Sequence, residues 1–334
     1  MKICIYGAGA IGGFIGARLA SLGAHEVSAV ARGDTLLALQ ARGFNLQDAQ
    51  GRVLVDATPV RAVADPAELG PQDLVVVAVK GPAMGAVAAN IAPLLGPHTI
   101  VLPAMNGVPW WFLQGLPGVG DLGKAPLESV DPGGRIAAAI ALSHVVGCVV
   151  HASTFTVVPG VVGHKMGQGL IIGEAFGEVS PRVEAVAEVL RSAGFDVTAS
   201  PHLRQDLWYK LWGNLTMNPV SALTGANIEQ IHADPLLLGF CSAAMREAQA
   251  IGERIGCPIN QTPEDRHQVT AKLGAFKTSM LQDVEAGRAL ELDAIVTAVR
   301  EIGLRVGVAT PTIDGLLGLS RVFARQRGLY PLAN

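Results

Sequence analysis

Lys2-Ile3-Cys4-Ile5-Tyr6-Gly7-Ala8-Gly9-Ala10-Ile11-Gly12 sets a G-x-G-x-x-G turn directly behind an apolar run and ahead of a helical pattern over residues 10–22, closed by Gly23. Strand, glycine turn and helix in that order are what a dinucleotide-binding βα unit needs. Gly7 permits the tight turn, Gly9 lets a pyrophosphate approach the backbone, and Gly12 allows close helix–strand packing, with the helix N-terminus facing the anion. Ala8, Ala10 and Ile11 belong to the same candidate cofactor loop. A glycine-rich turn that binds nothing has the same letters, and it is the placement between strand and helix that favours a cofactor.

Beyond this unit the alternation continues. Residues 26–30 read as a second strand, and residues 73–79 and 99–104 are near-continuous apolar runs, as expected of parallel strands buried on both faces. Residues 82–95 between them read as a helix. The expected class is therefore α/β, an N-terminal Rossmann-type doubly wound sheet. Residues 145–158 and 161–173 follow as a hairpin turning at Pro159-Gly160, then a helix over 183–193 and a strand over 195–198. From Pro201 strand signals vanish, and Asp234-Pro235, Thr262-Pro263 and Thr310-Pro311 each set an N-cap residue before a proline suited to a first helical turn. The expected division is a nucleotide-binding domain over residues 1–200 and an all-helical substrate and catalytic domain over 201–334.

Composition narrows the function. At 334 residues the chain exceeds what one hydrophobic core usually sustains, in keeping with two domains. Charged residues make up 16% and hydrophobic residues 50%, which excludes a disordered chain. The net charge of −3 and the scattered Lys and Arg leave no basic stripe, so neither nucleic acid nor an anionic membrane is an expected partner. Cys4, Cys148, Cys241 and Cys257 stand far apart and the histidines lack ligand spacing, so no metal site and no disulfide framework is expected. Residues 136–163 carry no Asp, Glu, Lys or Arg and are long enough to span a bilayer. Ser143, His144, His151, Ser153, Thr154 and Pro159-Gly160 interrupt that run, and its β-branched clusters fit strands instead. The nucleotide motif leaves no room ahead of it for a signal peptide, so a cytoplasmic location is expected.

The second strand ends in Val30-Ala31-Arg32, where an NAD enzyme usually offers an acid to the ribose hydroxyls. Arg32 can instead pair with the 2′-phosphate of NADPH through its forked donors, or it is an ordinary solvated arginine. Val79-Lys80 and Met105-Asn106-Gly107 close two further strands, so polar residues collect at the carboxyl edge where such sheets bind ligands. Farther on, Lys210, Asn214 and Asn218 recur at i, i+4 and i+8 in an otherwise apolar helix, sharing one stripe. A lone lysine there would be a snorkelling surface residue, and the two asparagines in register favour a common cavity. Taken alone, Thr278 reads as a helix cap, and Glu291 and Asp293 as solvent-facing acids.

Together these residues resemble the ketopantoate reductase family over almost the whole chain. The marks are the Gly7-to-Gly12 turn, Arg32-Gly33, Val79-Lys80, Asn106-Gly107, Pro159-Gly160 ahead of Gly163-His164, Trp208-Tyr209-Lys210-Leu211 with Asn214 and Asn218, Ser279-Met280-Leu281-Gln282-Asp283, and Glu291-Leu292-Asp293. The resemblance implies an NADPH-linked reduction of a small 2-oxo acid, 2-dehydropantoate to D-pantoate in pantothenate biosynthesis. It implies Lys210 as general acid, with Glu291 positioning it and the substrate. It further implies that Asn106, Asn214, Asn218 and Ser279 contact substrate or cofactor, that Lys80 lies beside the nicotinamide half, and that Glu291 is also a cofactor contact. The chemistry agrees: hydride delivery to a 2-oxo carbon builds alkoxide charge, which an ammonium stabilises and protonates.

Met105 stands where the family often has Gln, and Val296-Thr297 where many members have Asn-Gly. Residues 109–134 form a long connection, with Trp110, Trp111 and Phe112 ahead of Pro117-Gly118, Asp121-Leu122-Gly123 and Asp131-Pro132-Gly133. A lid, a subunit contact and simple packing all suit it. Another 2-oxo acid as substrate, an NADPH-binding sensor without chemistry, and a flavoprotein are the competing functions, and Lys210 with Glu291 argues against the sensor. The oligomeric state is left open, a homodimer included.

Overall fold

In the computed structural model, which describes residues 1–116, 120–175 and 177–332, strand and helix alternate from the start. In order come β1 (Lys2–Tyr6), α1 (Ala10–Ser21), β2 (Glu26–Val30), α2 (Gly33–Arg42), β3 (Phe44–Asp48), β4 (Val53–Thr58), β5 (Arg61–Val63), β6 (Leu74–Val77), α3 (Met84–Asn90) and β7 (Ile100–Pro103). Five of these strands form a wholly parallel sheet in the order β5-β2-β1-β6-β7. The chain moves outward from β1 to β5 and then crosses back to β6. Strand order thus reverses between β1 and β6, the place where such sheets open a crevice at their carboxyl ends. Ile3, Ile5, Val75, Val76 and Leu102 are wholly buried, which accounts for their unbroken apolar pattern.

The chain continues through α4 (Arg135–Ala139), β8 (Val146–Val158), β9 (Val161–Glu174), α5 (Pro181–Ser192) and β10 (Asp196–Ala199). The hairpin turns at Gly160, as expected, but it belongs to a second sheet. There β9 pairs with β8 along its length, with β3 near its start and with β10 near its end, and β4 lies outside β3. β3 and β4 are not expected from the sequence: Phe44-Asn45-Leu46-Gln47 alternates but is only a few residues long, Val53-Leu54-Val55 does not alternate, and the β9 strand that places β3 in its sheet lies far along the chain. Residues 136–163, long enough to span a bilayer, fold as α4, a short turn and this hairpin. Among the described residues no helix is long and apolar enough to cross a membrane. Residues 82–95 form a shorter helix than expected, α3, with a 3₁₀ turn on either side, Gly81–Ala83 and Ala92–Leu94, each containing a proline.

Helix α1 touches both sheets, and so Gly12, Gly13, Phe14, Ile15, Gly16, Ala17 and Leu19 are all buried rather than one stripe of them. Its glycines are close-approach points. A Cβ on Gly13 would lie 2.6 Å from Val162, and one on Gly16 would lie 2.5 Å from the Phe44 ring.

From α6 (Leu203–Thr224) the chain is helical: α7 (Ile228–Ala233), α8 (Pro235–Arg254), α9 (Pro263–Ala271), α10 (Ser279–Glu285), α11 (Ala298–Arg305) and α12 (Pro311–Gln326). Asp234 and Thr262 cap their helices through the side chain, as the sequence suggests. Thr310 does not. Its hydroxyl donates to Asp314, and the Glu247 carboxylate of α8 instead accepts the N–H groups of Thr312 and Ile313 at 2.8 and 2.9 Å. The compact units are Met1–Met105 with Arg135–Leu203, and Asn106–Gly134 with Arg204–Asn334. The expected division at residue 200 is therefore corrected in one respect: Asn106–Gly134 groups with the helices, not with the sheets.

Candidate active site

The first unit gathers its candidate residues at the carboxyl edge of the parallel sheet. Gly7 follows β1 with φ +95°, and its N–H donates to Val30 O at 3.0 Å. A Cβ there would lie 2.5 Å from Val79, and one on Gly12 would lie 1.9 Å from Gly7 O, so both positions exclude a side chain. Gly9 differs: a Cβ on it would meet nothing within 4 Å, leaving open space over the first turn of α1. Ala10, Ile11 and Gly12 lie in that turn, whose N–H groups lack helical acceptors, while Ala8 is buried beneath it. Open space, an exposed glycine backbone and a helix N-terminus together suit the pyrophosphate of a dinucleotide.

Arg32 leaves β2 exposed, at the N-cap of α2. Burial lifts the Tyr6 phenol above its ordinary pKa, while the charge of Arg32 and the hydrogen bond between the two side chains pull it back. The guanidinium is thereby held beside the end of β1. Lys80 is half-buried, at the N-cap of the turn after β6, on the other side of the strand-order reversal.

The second unit assembles a separate cluster from three distant segments. Lys210 on α6 is half-buried and donates from Nζ to Asn106 Oδ1 at 2.8 Å. The ammonium is thus aimed at a fixed carbonyl oxygen although 104 residues intervene. Asn214 and Asn218 follow one and two turns along the same helix, half-buried and buried respectively. Trp208 and Trp212, on another face, donate to Ala248 O at 3.3 Å and Met245 O at 2.7 Å, which pins the rotation of α6 against α8.

Next to Asn106, Gly107 has φ +83° and presses on the backbone of Ala294, and Val108 N–H donates to Ala294 O at 2.8 Å. Ala294 belongs to a π-helical turn, Asp293–Thr297, that leads into α11. In this register Ala298 N–H donates to Asp293 O, which releases Ala294 O from its α-helical donor and makes it available to Val108. Half-buried Glu291 lies two residues before that turn. Asn106, Lys210 and the 291–297 segment are therefore tied together. Ser279 is exposed at the first position of α10, and the helix is capped by Thr278, whose hydroxyl accepts Leu281 N–H at 3.2 Å.

The aromatic segment after Asn106 packs. Trp110, Trp111 and Phe112 are buried, with Phe112 stacked on Trp208 at 5.8 Å between ring centroids. Farther along, the Glu301 carboxylate of α11 accepts from Glu128 N–H, Ser129 N–H and the Ser129 hydroxyl, and Arg305 pairs with it at 2.6 Å. Pro117 and Gly118 lie outside the described residues. Tyr330, Arg321 and the role of Thr297 escaped the sequence reading. Tyr330 donates to Asp293 Oδ1, as does the Thr297 hydroxyl, which in turn accepts from Arg321. No local pattern marks such contacts.

A parallel sheet with a glycine turn at its strand-order reversal, joined in one chain to helices that carry a lysine among amides, defines a Rossmann-type oxidoreductase with a helical second unit. Residues 3–109 match the family model for ketopantoate reductase PanE/ApbA, and residues 202–324 match that for the ketopantoate reductase PanE/ApbA C terminal. The chain belongs to the ketopantoate reductase family. It is 44% identical over 331 residues to the 2-dehydropantoate 2-reductase of Mesorhizobium japonicum, covering 99% of this chain and 100% of that one. A crystal structure from Ralstonia solanacearum MolK2, provisionally assigned as a ketopantoate reductase, superposes with a TM-score of 0.93 at 54% identity, covering 98% and 99% of the two chains. The 2-dehydropantoate 2-reductase of Geobacter metallireducens GS-15 does so with 0.83 at 26% identity, over 97% and 100%.

Proposed function

We propose that the chain reduces 2-dehydropantoate to D-pantoate with NADPH. The observation that carries this reading is the half-buried Lys210 ammonium directed onto Asn106 Oδ1 beside the segment that bears Glu291. Family membership and the match to the Mesorhizobium japonicum reductase support it. In this reading the Gly7-to-Gly12 turn takes the pyrophosphate, Arg32 the 2′-phosphate, and Lys80, Asn106 and Glu291 contact the cofactor. When bound, NADPH supplies the hydride that reaches C2 of the substrate.

The chain's own residues do the rest. Asn214, Asn218 and Ser279 offer amide and hydroxyl donors to the substrate carboxylate and hydroxyl. Lys210 stabilises the alkoxide charge that develops on the ketone oxygen and then gives that oxygen a proton, leaving a neutral amine to be reprotonated from solvent. Asn106 Oδ1 accepts one ammonium hydrogen and so fixes its direction, and Glu291 favours the charged lysine. The test is the loss of NADPH absorbance with 2-dehydropantoate and a panel of 2-oxo acids. Turnover of 2-dehydropantoate above the rest is expected, and cofactor binding without turnover of any would refute the reading. A different branched 2-oxo acid is the second reading, favoured by Met105 and by buried Val296 beside hydrogen-bonded Thr297.

A further inference from the structure

The segment that carries Glu291 is held from both sides by Leu329 and Tyr330, which follow α12. On one side Leu290 N–H donates to Leu329 O at 2.9 Å, and both leucines are buried. On the other, the Tyr330 hydroxyl donates to Asp293 Oδ1 at 2.5 Å. Glu291 and buried Leu292 lie between these two bonds.

The tail that makes the bonds is itself anchored to α12. Gly328, with φ +68°, turns the chain, Leu329 N–H donates to Ala324 O at 2.8 Å, and Arg325 Nε donates to Pro331 O at 3.0 Å. The Arg325 guanidinium lies 5.7 Å from the centre of the Tyr330 ring. One turn back on α12, Arg321 donates to Thr297 Oγ1 at 3.3 Å, and Thr297 donates to Asp293 Oδ1 at 3.1 Å. A single carboxylate oxygen therefore collects the helix, the tail and the π-helical turn.

Asp293 opens that turn, and the next carbonyl, Ala294 O, holds Val108 two residues beyond Asn106. A displacement of Asp293 would be passed through this backbone backward toward Glu291 and across toward Asn106, the acceptor of Lys210. We infer that Tyr330 is a positioning residue of the active site, acting through Asp293 on Glu291 and Asn106. The inference rests on the reading that Glu291 serves Lys210, and it assigns residues 329–331 a part in turnover that neither fold nor motif indicates.

Tyr330→Phe keeps the ring and its cationic neighbour and removes only the hydroxyl. The variant is expected to lose about tenfold in kcat, in line with the sensitivity of catalysis to small misplacements, while its affinity for NADPH stays within about twofold. A tail that merely stabilised the fold would act independently of Glu291, and its loss would multiply with that of Glu291→Gln. Action through Glu291 requires instead that the double variant lose clearly less than the product of the two single losses. Amide hydrogen exchange gives a readout besides turnover: residues 292–298 should exchange faster in Tyr330→Phe than in the parent. Unchanged exchange there, or losses that multiply, would overturn the inference. Failure of the parent protein to reduce any 2-oxo acid would count instead against the proposed function.

Discussion

Gly107→Ala tests the tie between Asn106 and the π-helical turn at its tightest point. Gly107 has φ +83°, and a Cβ on it would lie 2.5 Å from Ala294 O and 2.7 Å from Ala294 C, both backbone atoms that cannot rotate aside. Holding a non-glycine residue in the left-handed region costs about 1–3 kcal/mol. The two backbones must also part, which stretches the 2.8 Å bond from Val108 N–H to Ala294 O. A net hydrogen bond is worth about 0.5–1.5 kcal/mol, so the substitution should cost roughly 1.5–4.5 kcal/mol in all. Because Asn106 is the adjoining residue, its Oδ1 should withdraw from Lys210 Nζ, and turnover should fall by about tenfold or more. Urea unfolding reads the first effect and steady-state NADPH consumption the second, with NADPH affinity as the control. A variant within about 0.5 kcal/mol of the parent and fully active would refute the reasoning.

Gly9→Ala is the counterpart, since its Cβ meets nothing within 4 Å: stability should hold while NADPH affinity falls, and unaltered affinity would remove Gly9 from the cofactor site. Lys210→Ala should lower kcat by about 10²- to 10⁴-fold, with fold and NADPH binding retained. Glu291→Gln should also lower it, and losses that simply multiply in the double variant would dissolve the proposed pair. Arg32→Ala should cost about 1.5–3 kcal/mol of NADPH binding and leave NADH nearly untouched, so an unchanged preference between them in titrations would be decisive against a phosphate contact. Burial alone would raise the pKa of Glu301, but Ser129, the Glu128 N–H and Arg305 outweigh it and hold the carboxyl below its ordinary 4.5. Its stabilisation is therefore present above that value and is lost as pH falls through the depressed one. Glu301→Gln should destabilise the neutral protein by about 1.5–3 kcal/mol and lessen the acid sensitivity seen in unfolding curves, and equal sensitivity in both proteins would contradict this.

The legible parts of the chain were local. Gly7 to Gly12 announces a strand, a turn and a helix because all the constraints act within about a dozen residues. Lys210, Asn214 and Asn218 declare a stripe because helical geometry alone aligns them. The pairing of β3 with β9 and the grouping of Asn106–Gly134 with the helices depend on partners far along the chain, where periodicity carries no information. Thr310 shows the same limit on a small scale. Its letters fit a cap, yet Glu247 on α8 takes the N–H groups, because a carboxylate from a packed neighbour competes with the local hydroxyl. The motif Glu291-Leu292-Asp293 is legible as a string, but its π-helical register and its bond to Tyr330 are not.

The interleaving of the two units bears on how the chain is made. Domains fold largely as they emerge from the ribosome. Trp110, Trp111 and Phe112 are synthesised well before Trp208, on which Phe112 stacks, so Phe112 is made without that partner while the parallel sheet, complete at Pro103, can already form. Until α6 has emerged the nascent protein carries this aromatic segment without its final packing, a period that favours chaperone binding or aggregation. For the same reason a gene cut after residue 203 would give a helical fragment deprived of its own aromatic segment and of Asn106. The second unit can be completed only within the intact polypeptide, or by supplying residues 106–134 alongside it.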